Sequence, residues 1–200
     1  MPGIHDLLCC GVKDVVAGTS PAMTWRDCLP LPLTMPATPA DLFAFLDKLG
    51  IAHPTVTHPP LFTVGESQTL RGTIPGGHTK NLFLKDKKDR LYLVVALGSA
   101  HIDLKTLHRQ LGSERLSFGK PELLMEVLGV PAGSVTPFAL INDKGRRVTV
   151  ILDADMMRHE RLNYHPLENT ATTNIAREDL VRFIRSCGHE PRIMAVAGAR

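Results

Sequence analysis

Apolar side chains at Leu42, Phe45, Leu46 and Leu49 recur at helical spacing and lie on one face. Thr38 precedes them as an N-cap, Pro39 occupies the first helical position and Gly50 follows the last turn, so a helix is predicted between these signals. Two further helices follow the same grammar. Asp103 caps one with Leu104, Leu107 and Leu111 inward and Gly112 behind it; Pro121 opens the other with Leu123, Leu124, Val127 and Leu128 before Gly129. A last helix is predicted over Arg177 to Cys187, with Leu180, Phe183, Ile184 and Cys187 inward and Arg177, Arg182 and Arg185 outward.

The strand signals are shorter. His53 to His58 alternates, Leu82 to Leu84 and Leu91 to Leu97 are apolar runs, and Lys85-Asp86-Lys87-Lys88-Asp89-Arg90 between them reads as a hairpin tip. Phe138 to Ile141 and Arg147 to Leu152 flank Asn142-Asp143-Lys144-Gly145, which predicts a second hairpin. A strand leading to Tyr164 and a terminal one over Ile193 to Val196 complete the set, and Thr63-Val64-Gly65-Glu66 has the form of a capping box opening a brief helix toward Leu70. Helices and hairpins interleave without regular alternation, so the expected fold is α/β in the loose sense: a mixed, largely antiparallel sheet flanked by helices.

Before Thr38 no periodicity is visible. Residues 1 to 34 are read as a disordered appendage, or as an extension upstream of a true start at Met35, with residues 35 to 200 forming the folded domain. The 200 residues are 44% apolar, enough for a substantial core, and the net charge is only +3. A polyanionic partner would therefore meet a local patch, not a global field. Cys9, Cys10 and Cys28 lie in the first segment and Cys187 stands alone, with no Cys-x-x-Cys pair, so neither a disulfide framework nor a zinc ribbon is indicated. The histidine spacings do not match a helical metal pair, and no run reaches the roughly 18 apolar residues of a membrane span. The expectation is a cytoplasmic protein without metal, cofactor or membrane contact.

The most informative stretch is Gly76-Gly77-His78-Thr79-Lys80-Asn81, in which a lysine and an amide follow a glycine turn at the mouth of the Leu82–Leu84 strand. Gly76 and Gly77 permit positive φ and close approach of a ligand, and the lysine is poised to meet an anion. Three other segments hold polar groups where local structure would fix them: Thr57-His58-Pro59-Pro60, Gly133-Ser134-Val135-Thr136-Pro137, and His165-Pro166-Leu167-Glu168-Asn169-Thr170-Ala171-Thr172.

Taken together, these four segments resemble the bacterial prolyl-tRNA editing proteins of the YbaK and prolyl-tRNA synthetase insertion-domain superfamily, over about Pro39 to Val196. The Lys80-Asn81 pair and the His165 segment are similar to the free-standing subgroup that removes alanine mischarged onto proline tRNA. The resemblance implies the YbaK-like editing fold and hydrolysis of the ester between an amino acid and the terminal ribose. It implies Lys80 as an electrostatic clamp on the terminal adenosine and Asn81 as a hydrogen-bonding partner of the aminoacyl or ribose portion. Backbone N–H groups of the Gly133 loop would orient the carbonyl, and His165 would position the amino group or carbonyl. Ser134 and Pro137 would belong to the pocket, His58 to its rim, and Asn169 and Thr170 to the support of the His165 loop. Lys85, Lys87 and Lys88, with Arg90, would touch the acceptor stem. The implied partners are the acceptor end of mischarged tRNA(Pro) and prolyl-tRNA synthetase. Deacylation of cysteinyl-tRNA(Pro), and a non-catalytic tRNA-binding module, remain alternatives.

Overall fold

Thr38 accepts a hydrogen bond on its hydroxyl from the Asp41 N–H at 3.3 Å, and Asp41 returns one by accepting from the Thr38 N–H at 2.8 Å. This reciprocal cap starts α1, Pro39–Lys48, in a computed structural model that describes residues 35–60 and 74–196. The expected capping box at Thr63 and the first 34 residues lie outside the described residues. In chain order the remaining elements are β1 (Thr55–Thr57), β2 (Gly77–Lys85), β3 (Leu91–Leu97), α2 (Leu104–Leu111), β4 (Ser117–Phe118), α3 (Pro121–Leu128), β5 (Val148–Asp153), β6 (Arg161–Tyr164), β7 (Ala171–Ala176), α4 (Arg177–Ser186) and β8 (Arg192–Met194).

The strands form one mixed sheet in the order β1-β7-β6-β2-β3-β5-β8, with β4 on β2. β1 with β7, β7 with β6, β2 with β3 and β2 with β4 are antiparallel, whereas β6 with β2, β3 with β5 and β5 with β8 are parallel. β3 is central and buried from Leu91 to Ala96, and its alternation separates two cores. Leu91, Leu93 and Val95 join Phe83, Val150, Leu152, Phe138 and Tyr164 beneath α1, α3 and α4. Tyr92, Val94 and Ala96 join Leu84, Ile151 and the α2 residues Leu107 and Leu111 on the other face.

The second hairpin is absent. Pro137–Ile141 is a short 3₁₀ helix started by Thr136, whose hydroxyl accepts from the Phe138 N–H at 3.4 Å. An unbroken apolar run such as Phe138 to Ile141 carries no period that separates a buried helix from a buried strand, and Pro137 tips the balance by fixing φ. Asp143 then accepts from the N–H groups of Arg147 at 3.0 Å and Val148 at 2.9 Å, launching β5 into a parallel pairing with β3 that no tight hairpin can make.

Smaller corrections follow from the sheet. β2 begins at Gly77, so Lys80 and Asn81 lie inside a strand paired to Ala96 and Val95, not ahead of it. β7 occupies Ala171–Ala176, where the sequence shows only a polar segment. Cys187 caps α4 half-buried, and burial pushes its thiol up to about 12, which removes thiolate chemistry from it.

Candidate active site

Because successive residues of a strand point to opposite faces, Lys80 and Asn81 cannot reach the same neighbour. Asn81 points with Phe83 toward the α1, α3 and α4 side, where its Nδ2 donates to the Val135 carbonyl at 2.9 Å. That bond fastens the Gly133–Pro137 loop to β2. The Asn81 Oδ1 is buried and accepts from no group among the described residues, and an amide oxygen in that state is costly unless a ligand or water meets it. Lys80 points with Leu82 and Leu84 to the other side, and its ammonium donates to the Ala100 carbonyl. The turn holding Ala100 is closed by its own N–H on Leu97 O at 3.0 Å and tied to β2 by Gly98 N–H on His78 O at 2.8 Å.

β6 brings the third element. It runs parallel to β2 with Gly77 beside Leu162 and His78 beside Asn163, so carrying the register forward places His165 level with Lys80 where the chain leaves β6. Thr79 reinforces the junction by donating from its hydroxyl to Asn163 O at 2.8 Å. Farther along the same edge β2 is next paired by β4, at Leu84 and Lys85. Among the described strands, the edge of β2 between Thr79 and Phe83 is thus left open on the β6 side.

His165 lies against the β7 end of the sheet. Its Nδ1 meets the Ala171 carbonyl at 3.0 Å, and since a carbonyl only accepts, Nδ1 carries the proton and Nε2 keeps its lone pair in the neutral ring. His58 packs edge-on to it, with ring centroids 6.3 Å apart. By the same logic the His58 Nδ1 donates to Pro59 O at 2.9 Å, and its Nε2 is held at 2.9 Å from the Thr172 hydroxyl. The His58 N–H also donates to Thr170 O at 2.8 Å, which ties β1 to the loop containing Asn169. Leu167, at φ +68°, gives that loop its sharp return and donates its N–H to His165 O at 3.0 Å.

Burial is the main cause holding the His165 imidazole below its ordinary 6.5; the Ala171 carbonyl opposes it and the neighbouring His58 adds to it. The folded value lies below the unfolded one, so protons bind the unfolded chain more readily. This ring then costs no stability above 6.5, and stability falls as pH drops through 6.5 toward the folded value. An imidazole ¹⁵N titration should show a midpoint below 6.5 and the Nδ1–H tautomer at neutral pH. A midpoint above 6.5 would contradict the buried placement.

The Gly133 loop and the hairpin tip complete the candidate residues. Gly133 has φ +95° with open space where a Cβ would stand, so the backbone conformation, not crowding, favours glycine there. Ser134 and Pro137 are buried, and Ser134 N–H donates to Pro131 O at 3.1 Å. At the tip, Lys85 pairs with Asp89 at 2.6 Å, Lys88 with Glu114 at 3.1 Å and Arg90 with Asp86 at 2.7 Å, leaving Lys87 without an ion pair among the described residues. These are five or more residues along β2 from Lys80, roughly 16 Å at the rise of a strand.

The structure therefore gathers His58, His165, Thr170 and Thr172 into one cluster, joins Asn81 to the Gly133 loop, and sets Lys80 against the Ala100 turn. Ala100 is unmarked in the sequence, and Val135 is marked only as part of its loop, because both act through backbone carbonyls, which no side-chain pattern reports. Asn163 and Asn174 escape sequence reasoning as well; both are buried and both donate to Pro75 O, at 3.2 and 2.9 Å, anchoring the entry to β2. Groups of three or more metal-ligating side chains are absent among the described residues, and no described helix is long and apolar enough to cross a membrane.

The chain that carries this lysine and amide on opposite faces of β2, beside a histidine cluster and a glycine-hinged loop, is similar to the aminoacyl-tRNA editing domain. Residues 58–183 match the family model of that description, and the chain belongs to this family. A protein from Danio rerio, the prolyl-tRNA synthetase associated domain-containing protein 1, is 40% identical over 78% of this chain and 85% of its own length. The prolyl-tRNA editing protein ProX of Acetoanaerobium sticklandii is 36% identical, over 74% of this chain and 91% of its own. The likeness thus extends beyond bacterial proteins. A crystal structure described as a candidate trans-editing enzyme for prolyl tRNA synthetase shares the fold, with a TM-score of 0.63 and 19% identity over 82% of this chain and 99% of that one.

Proposed function

We propose that this protein is a trans-acting editing hydrolase that removes alanine from mischarged tRNA(Pro). The observation that carries the reading is Asn81, which fastens the Gly133 loop through Val135 O while its own buried Oδ1 accepts from no described group. An aminoacyl ester is already activated, so fixing a water and the carbonyl in register can suffice, with each preorganised donor contributing about 3 kcal/mol. Backbone N–H groups of the Gly133 loop orient the ester carbonyl, Asn81 Oδ1 accepts from the substrate's amino or ribose groups, and Lys80 neutralises the terminal nucleotide. His165 presents an unprotonated Nε2 to the amino group or to water, and a vicinal ribose hydroxyl assists that water. Ser134 and Pro137 shape the pocket, His58 forms its rim, and Asn169 and Thr170 hold the His165 loop in place.

Alanine is the favoured target on physical grounds. A synthetase pocket built for proline rejects a smaller side chain by only about 1–3 kcal/mol, so a second, narrower sieve is needed. Release of labelled alanine from alanyl-tRNA(Pro) by the purified chain, with cysteinyl-tRNA(Pro) alongside, tests the proposal. The expected result is faster release from the alanyl ester. Salt-sensitive binding of uncharged tRNA without turnover of either ester would point to a non-catalytic module instead.

The hairpin tip would meet the acceptor stem as a solvated, sequence-blind surface. Neutralising Lys87 and Lys88 together is expected to raise KM and leave kcat nearly unchanged, with the salt slope of binding falling by about one for each phosphate that is no longer neutralised. A fall in kcat at unchanged KM would contradict this placement. Prolyl-tRNA synthetase is the natural supplier of such a substrate, and a cytoplasmic location fits that supply.

A further inference from the structure

Exposed large apolar side chains among the described residues are Met35, Val56, Phe118, Met125 and Ile193, and Phe118 is the aromatic one, 64% exposed. An exposed ring is ordinary on a flexible loop, but this one is firmly mounted. Phe118 is paired across β4 to Leu84, the Gly119 N–H donates to Phe83 O at 2.9 Å, and the Ser117 hydroxyl donates to Lys85 O at 3.3 Å. Gly119 is required for that mounting, because a Cβ there would meet the Phe83 ring.

The electrostatic setting is equally specific. Residues 85–90 and 114–120, joined by the β2–β4 pairing, carry six Lys or Arg against three Asp or Glu, an excess equal to the net +3 of the entire chain. Beside the ring lies a cleft of about 360 Å³ lined by Lys85, Ser117, Lys120, Glu122, Leu123 and Glu126. Directly opposed residues of an antiparallel pair project to the same face, so Phe118 shares with Leu84, Leu82 and Lys80 one side of β2. Four residues of strand separate Lys80 from Leu84, roughly 13 Å.

From this arrangement we infer that Phe118 is a stacking platform for an unpaired base of the RNA 3′ strand, a few nucleotides upstream of the terminal adenosine. An aromatic ring set in a basic surface is the recognition element that single-stranded nucleic acid uses, since every base has a face to stack and every nucleotide a phosphate to neutralise. The excess of cations favours a polyanion over an apolar protein surface. The inference rests on the editing reading for what occupies the Lys80 end, and it adds how the strand leading there is held.

The test separates the two. Phe118→Leu keeps apolar bulk and removes the stacking face, and Phe118→Trp enlarges it; circular dichroism checks that both fold. Binding of uncharged tRNA(Pro) is expected to weaken roughly tenfold in Phe118→Leu and to recover in Phe118→Trp. Cleavage of alanyl-tRNA(Pro) should show the same rise in KM, whereas cleavage of an alanyl ester of adenosine alone, which has no upstream base, should be unchanged. Equal tRNA affinity in all three proteins overturns the stacking assignment, even if the wild type cleaves both esters. A self-association or protein complex that Phe118→Leu abolishes, with tRNA affinity intact, overturns it in favour of a protein interface. If wild type cleaves neither ester, the editing reading fails, and the tRNA affinities still decide the role of Phe118.

Discussion

Replacing Lys80 with alanine is expected to lower kcat/KM for alanyl-tRNA(Pro) by about 10–10²-fold, the loss that follows when one charge-assisted contact to the terminal nucleotide is removed. The ammonium is held against the Ala100 carbonyl, and the turn carrying Ala100 is itself bonded to β2, so the charge sits at a defined place beside the open strand edge. A flexible surface lysine would have to be ordered by the substrate; this one already is. Losing the bond also removes support from the turn, and hydrogen bonds made by charged groups contribute about 1.5–3 kcal/mol. Lys80→Met separates packing from the polar role, because it keeps the aliphatic stem beside Leu82 and removes the charge together with its hydrogen bond to Ala100. Assayed well below the melting temperature, Lys80→Met should lose as much activity as Lys80→Ala. Wild-type activity in Lys80→Met would assign the residue to packing alone.

Asn81→Leu is expected to lower the same quantity about a hundredfold, the penalty for shifting a reacting group by about 1 Å. It deletes the Nδ2 bond that holds Val135 and replaces a buried acceptor that has no partner among the described residues with a methyl group. Asn81→Asp is the informative companion: it retains an oxygen in place of Oδ1 but sets a carboxylate against the Val135 carbonyl, acceptor against acceptor. If anchoring the Gly133 loop is the main role, the two variants fail alike. If the free oxygen matters more, Asn81→Asp retains the greater activity. Normal turnover in both would remove Asn81 from the mechanism.

Helices are the most legible part of the chain, because Thr38, Asp103, Pro121, Gly112 and Gly129 are local signals that act on their own few residues. The region after Thr136 misleads for a definite reason: Phe138 to Leu140 are all buried, so the run lacks the polar interruptions by which a period is recognised. β7 is hidden differently, since Thr172, Thr173 and Asn174 are polar yet buried, satisfied partly by His58 and Thr55, far away in sequence, and by Asn163 on the neighbouring strand. The site shows the same division. Lys80, Asn81 and His165 stand out by residue type, but the opposite facing of Lys80 and Asn81 becomes visible only with the strand's start at Gly77, and the carbonyls of Ala100, Val135 and Ala171 belong to tertiary structure. The relation of His165 to Lys80 depends on the parallel register of β6 with β2, which joins segments more than 80 residues apart. Sequence spacing carries no record of such a register.

Single-turnover hydrolysis of alanyl, cysteinyl, seryl and prolyl esters carried on one tRNA(Pro) puts the editing reading at greatest risk. Alanine should be released fastest, proline no faster than in buffer, and the alanine rate should collapse in Lys80→Ala. Prolyl ester cleaved as readily as alanyl ester, or no ester cleaved above the buffer rate, would contradict it.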